Sequence, residues 1–134
     1  MITKGGANAT MELKNKRMLF LGSSVTYGST PPGVSFVDII QEDYGAVCIK
    51  EAVSGTTLAD INENSYVARL KTVCKDTKLD LFVCQLSTND AAQKIPLKQV
   101  KEAICFILDY VEKTLLALSS FIQALTSKVM NMKG

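Results

Sequence analysis

Histidine is absent from all 134 residues. The chain therefore lacks the usual neutral-pH proton acceptor for a serine or cysteine nucleophile, and no homo-oligomer of it supplies one. Its four cysteines, Cys48, Cys74, Cys84 and Cys105, form no C-x-x-C pair and no metal-type spacing. That argues against a zinc site or a disulfide framework, and no metal or other cofactor is implied. The four read as buried free thiols in a reducing compartment. Fifteen Lys and Arg against thirteen Asp and Glu give a net charge of +2 with no dense basic run, so no nucleic-acid surface is indicated. Ser119, Ser120, Gln123, Ser127 and Lys128 interrupt the last apolar stretch, which excludes a simple membrane span. Residues 1–13 contain no apolar signal core and read as a loose leader, with the cytoplasm as the expected location.

What the chain does have is 47% hydrophobic residues with 21% charged ones, the balance of an ordinary globular domain, expected over residues 14–134. Three short apolar runs alternate with longer amphipathic stretches, as in βαβ units around a parallel sheet. The runs are Arg17 to Leu21, Val47 to Val53 and Leu79 to Leu86. Only the third reads as buried on both faces, and the expected strand order is second, first, third.

Ser35 is the expected N-cap of a helix carrying Phe36, Val37, Ile39 and Ile40, with Gly45 as its stop. Asp60 to Cys74 reads as a second helix with Ile61, Tyr66, Val67, Leu70 and Val73 inward and Arg69, Lys71 and Lys75 in solvent. A third begins near Pro96 and carries Val100, Ile104, Ile107, Leu108 and Val111 on one stripe. From Leu115 to Gly134 the pattern predicts an atypical C-terminal helix, with Leu118, Phe121, Ile122, Leu125 and Val129 on one face and no acidic residue after Glu112.

In a doubly wound sheet, ligands approach the loops that follow the strands. Those loops are Gly22-Ser23-Ser24-Val25-Thr26-Tyr27-Gly28, Val53-Ser54-Gly55-Thr56-Thr57 and Ser87-Thr88-Asn89-Asp90. Acyl transfer needs this combination: a hydroxyl exposed on a tight turn, and rigid donors aimed at the oxyanion that follows attack. Ser24 offers the hydroxyl. The N–H groups of Ser24 and Gly55 and the Asn89 side-chain amide offer the donors, and Gly55 lets backbone approach the reacting carbonyl. Thr26, Tyr27, Ser29 and Thr56 are candidate substrate-lining residues, although polar loop roles suit the first three equally and a helix-capping role suits Thr56 better. Asn89 and Asp90 also suit loop-shaping bonds to backbone, while Asp38, Glu42, Asp43 and Asp60 read as solvated charges or caps.

Phe20-Leu21-Gly22-Ser23-Ser24-Val25-Thr26-Tyr27-Gly28, Val53-Ser54-Gly55-Thr56-Thr57 and Ser87-Thr88-Asn89-Asp90 together resemble three blocks of the SGNH, or GDSL-like, hydrolase family. The resemblance covers about residues 17–114. It implies a flavodoxin-like three-layer α/β fold, helices on both faces of a parallel sheet, and serine ester hydrolysis of a small-molecule substrate. Ser24 would be the nucleophile, with Gly55 and Asn89 in the oxyanion hole. Ser23 stands where the family usually has Asp, and Ser87 where it has Gly. The fourth block, D-x-x-H, is missing. A C-terminally truncated or replaced family member is therefore expected, with residues 115–134 standing in for family sequence and activity that is feeble or nil.

Two other readings are open. Tyr27-Gly28-Ser29-Thr30 is similar to a flavodoxin phosphate loop, but Pro31 and Pro32 remove two N–H donors and delay the helix start. A non-catalytic binding or self-associating module accounts for the missing histidine directly. It predicts a homodimer through the apolar face of the C-terminal helix.

Overall fold

The computed structural model describes residues 13–122. Four parallel strands form one sheet in the order β2-β1-β3-β4. They are β1 (Arg17–Gly22), β2 (Val47–Ala52), β3 (Leu79–Cys84) and β4 (Leu116–Ile122). The helices are α1 (Ser24–Tyr27), α2 (Phe36–Tyr44), α3 (Tyr66–Leu70), α4 (Asn89–Ala92) and α5 (Leu97–Tyr110). A π-helical turn, Val111–Leu115, follows α5 directly.

Strand alternation sorts the core into two layers. Met18 and Phe20 of β1, beside Leu81 and Val83 of β3, pack with Val37 and Ile40 of α2 on one face. Leu19 and Leu21, beside Phe82 and Cys84, pack with Val67 and Leu70 of α3 and Ile104 and Ile107 of α5 on the other. The three-layer α/β arrangement and the order of the first three strands are those expected from sequence. Burial on both faces is not confined to β3: every residue of β1 after Arg17 is buried, because β1 lies inside the sheet between β2 and β3.

Helix α2 follows its sequence signals. The Ser35 hydroxyl accepts from Val37 N–H while Asp38 accepts from Ser35 N–H, and Gly45 closes the helix at φ +71° with its N–H on Gln41 O. Helix α3 is much shorter than the expected Asp60 to Cys74. Local bonds compete with the helix at both ends. Asn62 accepts from Asn64 N–H, Asp60 accepts from the Ser65 hydroxyl, and Ser65 then caps Ala68. At the far end Thr72 Oγ1 donates to Arg69 O at 2.6 Å. Ile61 is left exposed, and Arg69, expected in solvent, is buried.

The C-terminal segment also departs from expectation. Leu116–Ile122 is a strand beside β3, with pairings Leu79 to Leu116, Leu81 to Phe121 and Phe82 to Ile122 and a register shift between them. An apolar run of this kind fits either period, and the open edge of the apolar β3 supplies a partner for strand pairing. The helical face expected to carry self-association is thus not formed through Ile122; Leu125 and Val129 lie outside the described residues. Of the four cysteines expected to be buried, only Cys84 is; Cys48 is half-buried, and Cys74 and Cys105 are exposed. Leu13, assigned to the leader, is buried in the α2-side core. No helix among the described residues is long and apolar enough to cross a membrane.

Candidate active site

The site lies beyond the carboxyl ends of β1, β2 and β3, where three loops are hydrogen-bonded to one another in pairs. Loop one turns directly from β1 into α1. Gly22 permits the turn: a Cβ there would stand 2.6 Å from Gln85 Oε1 and collide with Thr26. The short helix closes at Gly28, φ +90°, whose N–H donates to Ser24 O at 2.9 Å. Ser24 opens α1 and is half-buried. Its hydroxyl has no hydrogen-bond partner among the described residues.

Ser23 is organised by the residue that follows β3. Gln85 Oε1 accepts from Ser23 N–H at 3.0 Å, Thr26 N–H at 3.2 Å and the Thr26 hydroxyl at 2.6 Å, while Gln85 Nε2 donates to Ser23 Oγ at 3.3 Å. One side chain therefore joins the end of β3, just before loop three, to loop one. Gln85 was not singled out from sequence, although an amide inside the apolar run Val83-Cys84-Gln85-Leu86 is the signal that marks it.

Loop two is tied to loop three through Thr56 and Asp90. The Thr56 carbonyl accepts from Asn89 Nδ2 at 2.8 Å and from the Ser87 hydroxyl at 3.2 Å. The buried Asp90 carboxylate accepts from Leu58 N–H at 2.8 Å and Ala59 N–H at 2.9 Å. Loop one meets loop two through the Ser29 and Ser54 hydroxyls, which bond to each other. Gly55 adopts φ +80° with open space around it. Its N–H and that of Ser24 enter no backbone hydrogen bond among the described residues. One hydrogen of the Asn89 amide is likewise left over, since Nδ2 carries two and Thr56 takes one.

Three of the candidate lining residues divide by burial. Thr26 and Thr56 are 1% and 8% exposed, with hydroxyls held by Gln85 and by Val53 O and Arg69. Tyr27 is 54% exposed. Two nearby groups that could stand in for a base are engaged elsewhere: the Asp90 carboxylate holds loop two, and Lys50, the lysine reaching this turn, binds Tyr27 O at 3.2 Å and pairs with Asp38 at 2.9 Å. The Tyr66 hydroxyl has no hydrogen-bond partner among the described residues, and burial pushes its phenol up to about 12. Burial raises the Cys84 thiol to about 12 as well. Neither accepts a proton as an anion near neutrality. Among the described residues no cluster of His, Cys, Asp and Glu is arranged to hold a metal ion.

No protein-family model and no curated protein matches the sequence. Solved structures match in fold. A Lactobacillus plantarum protein superposes with a TM-score of 0.67 at 19% identity, over 81% of this chain and 54% of that one. AlinE4, an SGNH-hydrolase family esterase, gives 0.63 at 21% identity, over 75% and 55%. Axe2, an acetylxylan esterase from Geobacillus stearothermophilus, gives 0.60 at 16% identity, over 78% and 58%. The chain thus spans little more than half the length of each of these structures.

Proposed function

Proceeding from a chain with the SGNH-hydrolase fold, we propose that the three cross-linked loops form an ester-hydrolase site with Ser24 as nucleophile. What supports the reading is that, among the described residues, the Ser24 hydroxyl has no hydrogen-bond partner and donors at Ser24, Gly55 and Asn89 stay unused, on loops bonded to one another. Ser24 Oγ attacks the ester carbonyl, and the oxyanion is met by the two N–H groups and the amide. The acyl group then rests on Ser24 until water releases it. Acetylated small molecules are the substrate class, in keeping with the acetylxylan esterase among the fold relatives. A reducing, cytoplasmic setting suits the four free thiols.

Proton removal from Ser24 is the weak step, because the 134 residues hold no imidazole. Loss of a triad histidine costs about six orders of magnitude in turnover, while an oxyanion hole alone retains roughly 10³ to 10⁴ over water. Unaided turnover is therefore feeble. Aryl acetate hydrolysis by wild type, Ser24→Ala and Asn89→Ala, with and without added imidazole, tests this after subtraction of imidazole's own rate. Imidazole should raise the wild-type rate, leave Ser24→Ala at background, and give a smaller gain in Asn89→Ala. Equal rates in wild type and Ser24→Ala under both conditions would sink the proposal. A normal rate without imidazole, lost in Ser24→Ala, would instead imply another base, with a lysine or Asp90 the first candidates.

The absence of histidine favours a second reading, a binding module that holds an ester or related acyl compound on the same loops without turnover. Saturable binding of an acetyl ester, lost in Asn89→Ala and unaccompanied by hydrolysis even with imidazole, would decide for it.

A further inference from the structure

Arg69 is 7% exposed, and its guanidinium reaches three parts of the chain at once. Nε donates to Asn64 O at 2.9 Å and Nη1 to Glu51 Oε1 at 3.1 Å. Nη2 donates to Gly22 O at 3.0 Å and to Thr56 Oγ1 at 3.1 Å. The group lies over the buried Tyr66 ring, 5.4 Å from its centroid. Gly22 ends β1 just before Ser23 and Ser24, and Thr56 directly follows Gly55. A single nitrogen therefore bridges the peptide that launches the nucleophile turn and the residue that fixes the Gly55 loop.

We propose that Arg69 is a positioning residue that sets the separation between Ser24 and the Gly55 N–H. This rests on the reading of Ser24 and Gly55 as site residues, and Arg69 itself touches no substrate. The planar, permanently charged fork suits the task because its donors point in fixed directions, whereas a lysine ammonium offers one flexible point. Tyr66 supports the guanidinium from below and Glu51 balances its charge from β2, so its position follows from α3, β1 and β2 together. The exposed Lys71 and Lys75, on the same stretch of chain, have no comparable route to the site.

Nitrogen-15 NMR of the full chain tests the role without relying on turnover. In the wild type, the Arg69 Nη signals should be separately resolved at 25 °C because rotation is blocked; one averaged signal would overturn the proposal. In a folded Arg69→Lys variant, the Ser24 and Gly55 amide signals should move while those of Phe20 and Val83, on the opposite core face, stay. Changes confined to Asn64 through Leu70 would also overturn it. Ser24 phosphonylation with added imidazole, read in parallel, should slow at least tenfold in Arg69→Lys. No phosphonylation of the wild type would count against the esterase reading alone, since the NMR signals still decide what Arg69 does.

Discussion

Gln85 Oε1 accepts the Ser23 N–H at 3.0 Å, so the backbone just before Ser24 is held by a side chain 62 residues further along the chain. The same oxygen takes both donors of Thr26. Replacing Gln85 with Ala leaves these part-buried groups without their acceptor, at a cost of about 1–3 kcal/mol. Urea denaturation should show the midpoint falling with an unchanged slope.

The two glycines of the site should suffer from an added methyl for different reasons and to different degrees. Gly22→Ala drives a Cβ into Thr26 and to 2.6 Å from Gln85 Oε1, an overpacking worth about 1–3 kcal/mol or more. Gly55→Ala meets only the strain of φ +80° in open space, about 1–2 kcal/mol. Thermal unfolding of both variants should rank Gly22→Ala as the more damaging.

Asp90→Asn tests whether this carboxylate is a clamp or a base. Its two oxygens accept from Leu58 and Ala59 separately, and an amide keeps only one acceptor while turning an N–H₂ toward the other donor. The expected loss is about 1–3 kcal/mol in stability. Imidazole-aided turnover per folded molecule should change little; its abolition in a stably folded variant would assign Asp90 a chemical role.

Asp38 couples stability to acid. The Ser35 N–H holds its carboxyl below the ordinary 3.8, with Lys50 adding to the effect. A depressed folded value means the contribution is present above pH 3.8 and is lost as pH falls through the lower, folded value. Asp38→Asn should therefore flatten the acid limb of stability against pH, leaving the curve above pH 5 parallel to wild type.

Much of this architecture was legible because local signals agreed. Ser35, Asp38 and Gly45 bound α2, and the β1 and β3 runs announced themselves by composition. The three loops carrying Ser24, Gly55 and Asn89 were found by their place after strands. What escaped depends on partners distant in sequence. Arg69 looks like a surface residue until Gly22 O and Thr56 Oγ1 stand beside it, although its i+3 spacing from the inward Tyr66 is a clue. Asp90 reads as a loop carboxylate until Leu58 and Ala59 turn their N–H groups toward it. Leu116–Ile122 took the strand form because β3 offered an edge, and no pattern within the segment records that neighbour.

Ser24 is proposed as a nucleophile waiting on a base. The most direct test is intact-mass and peptide mapping after exposure to a fluorophosphonate, with and without imidazole. A single adduct on Ser24 is expected, slow alone, faster with imidazole and absent in Ser24→Ala. No adduct on Ser24 under either condition, in a chain confirmed to be folded, would contradict that role.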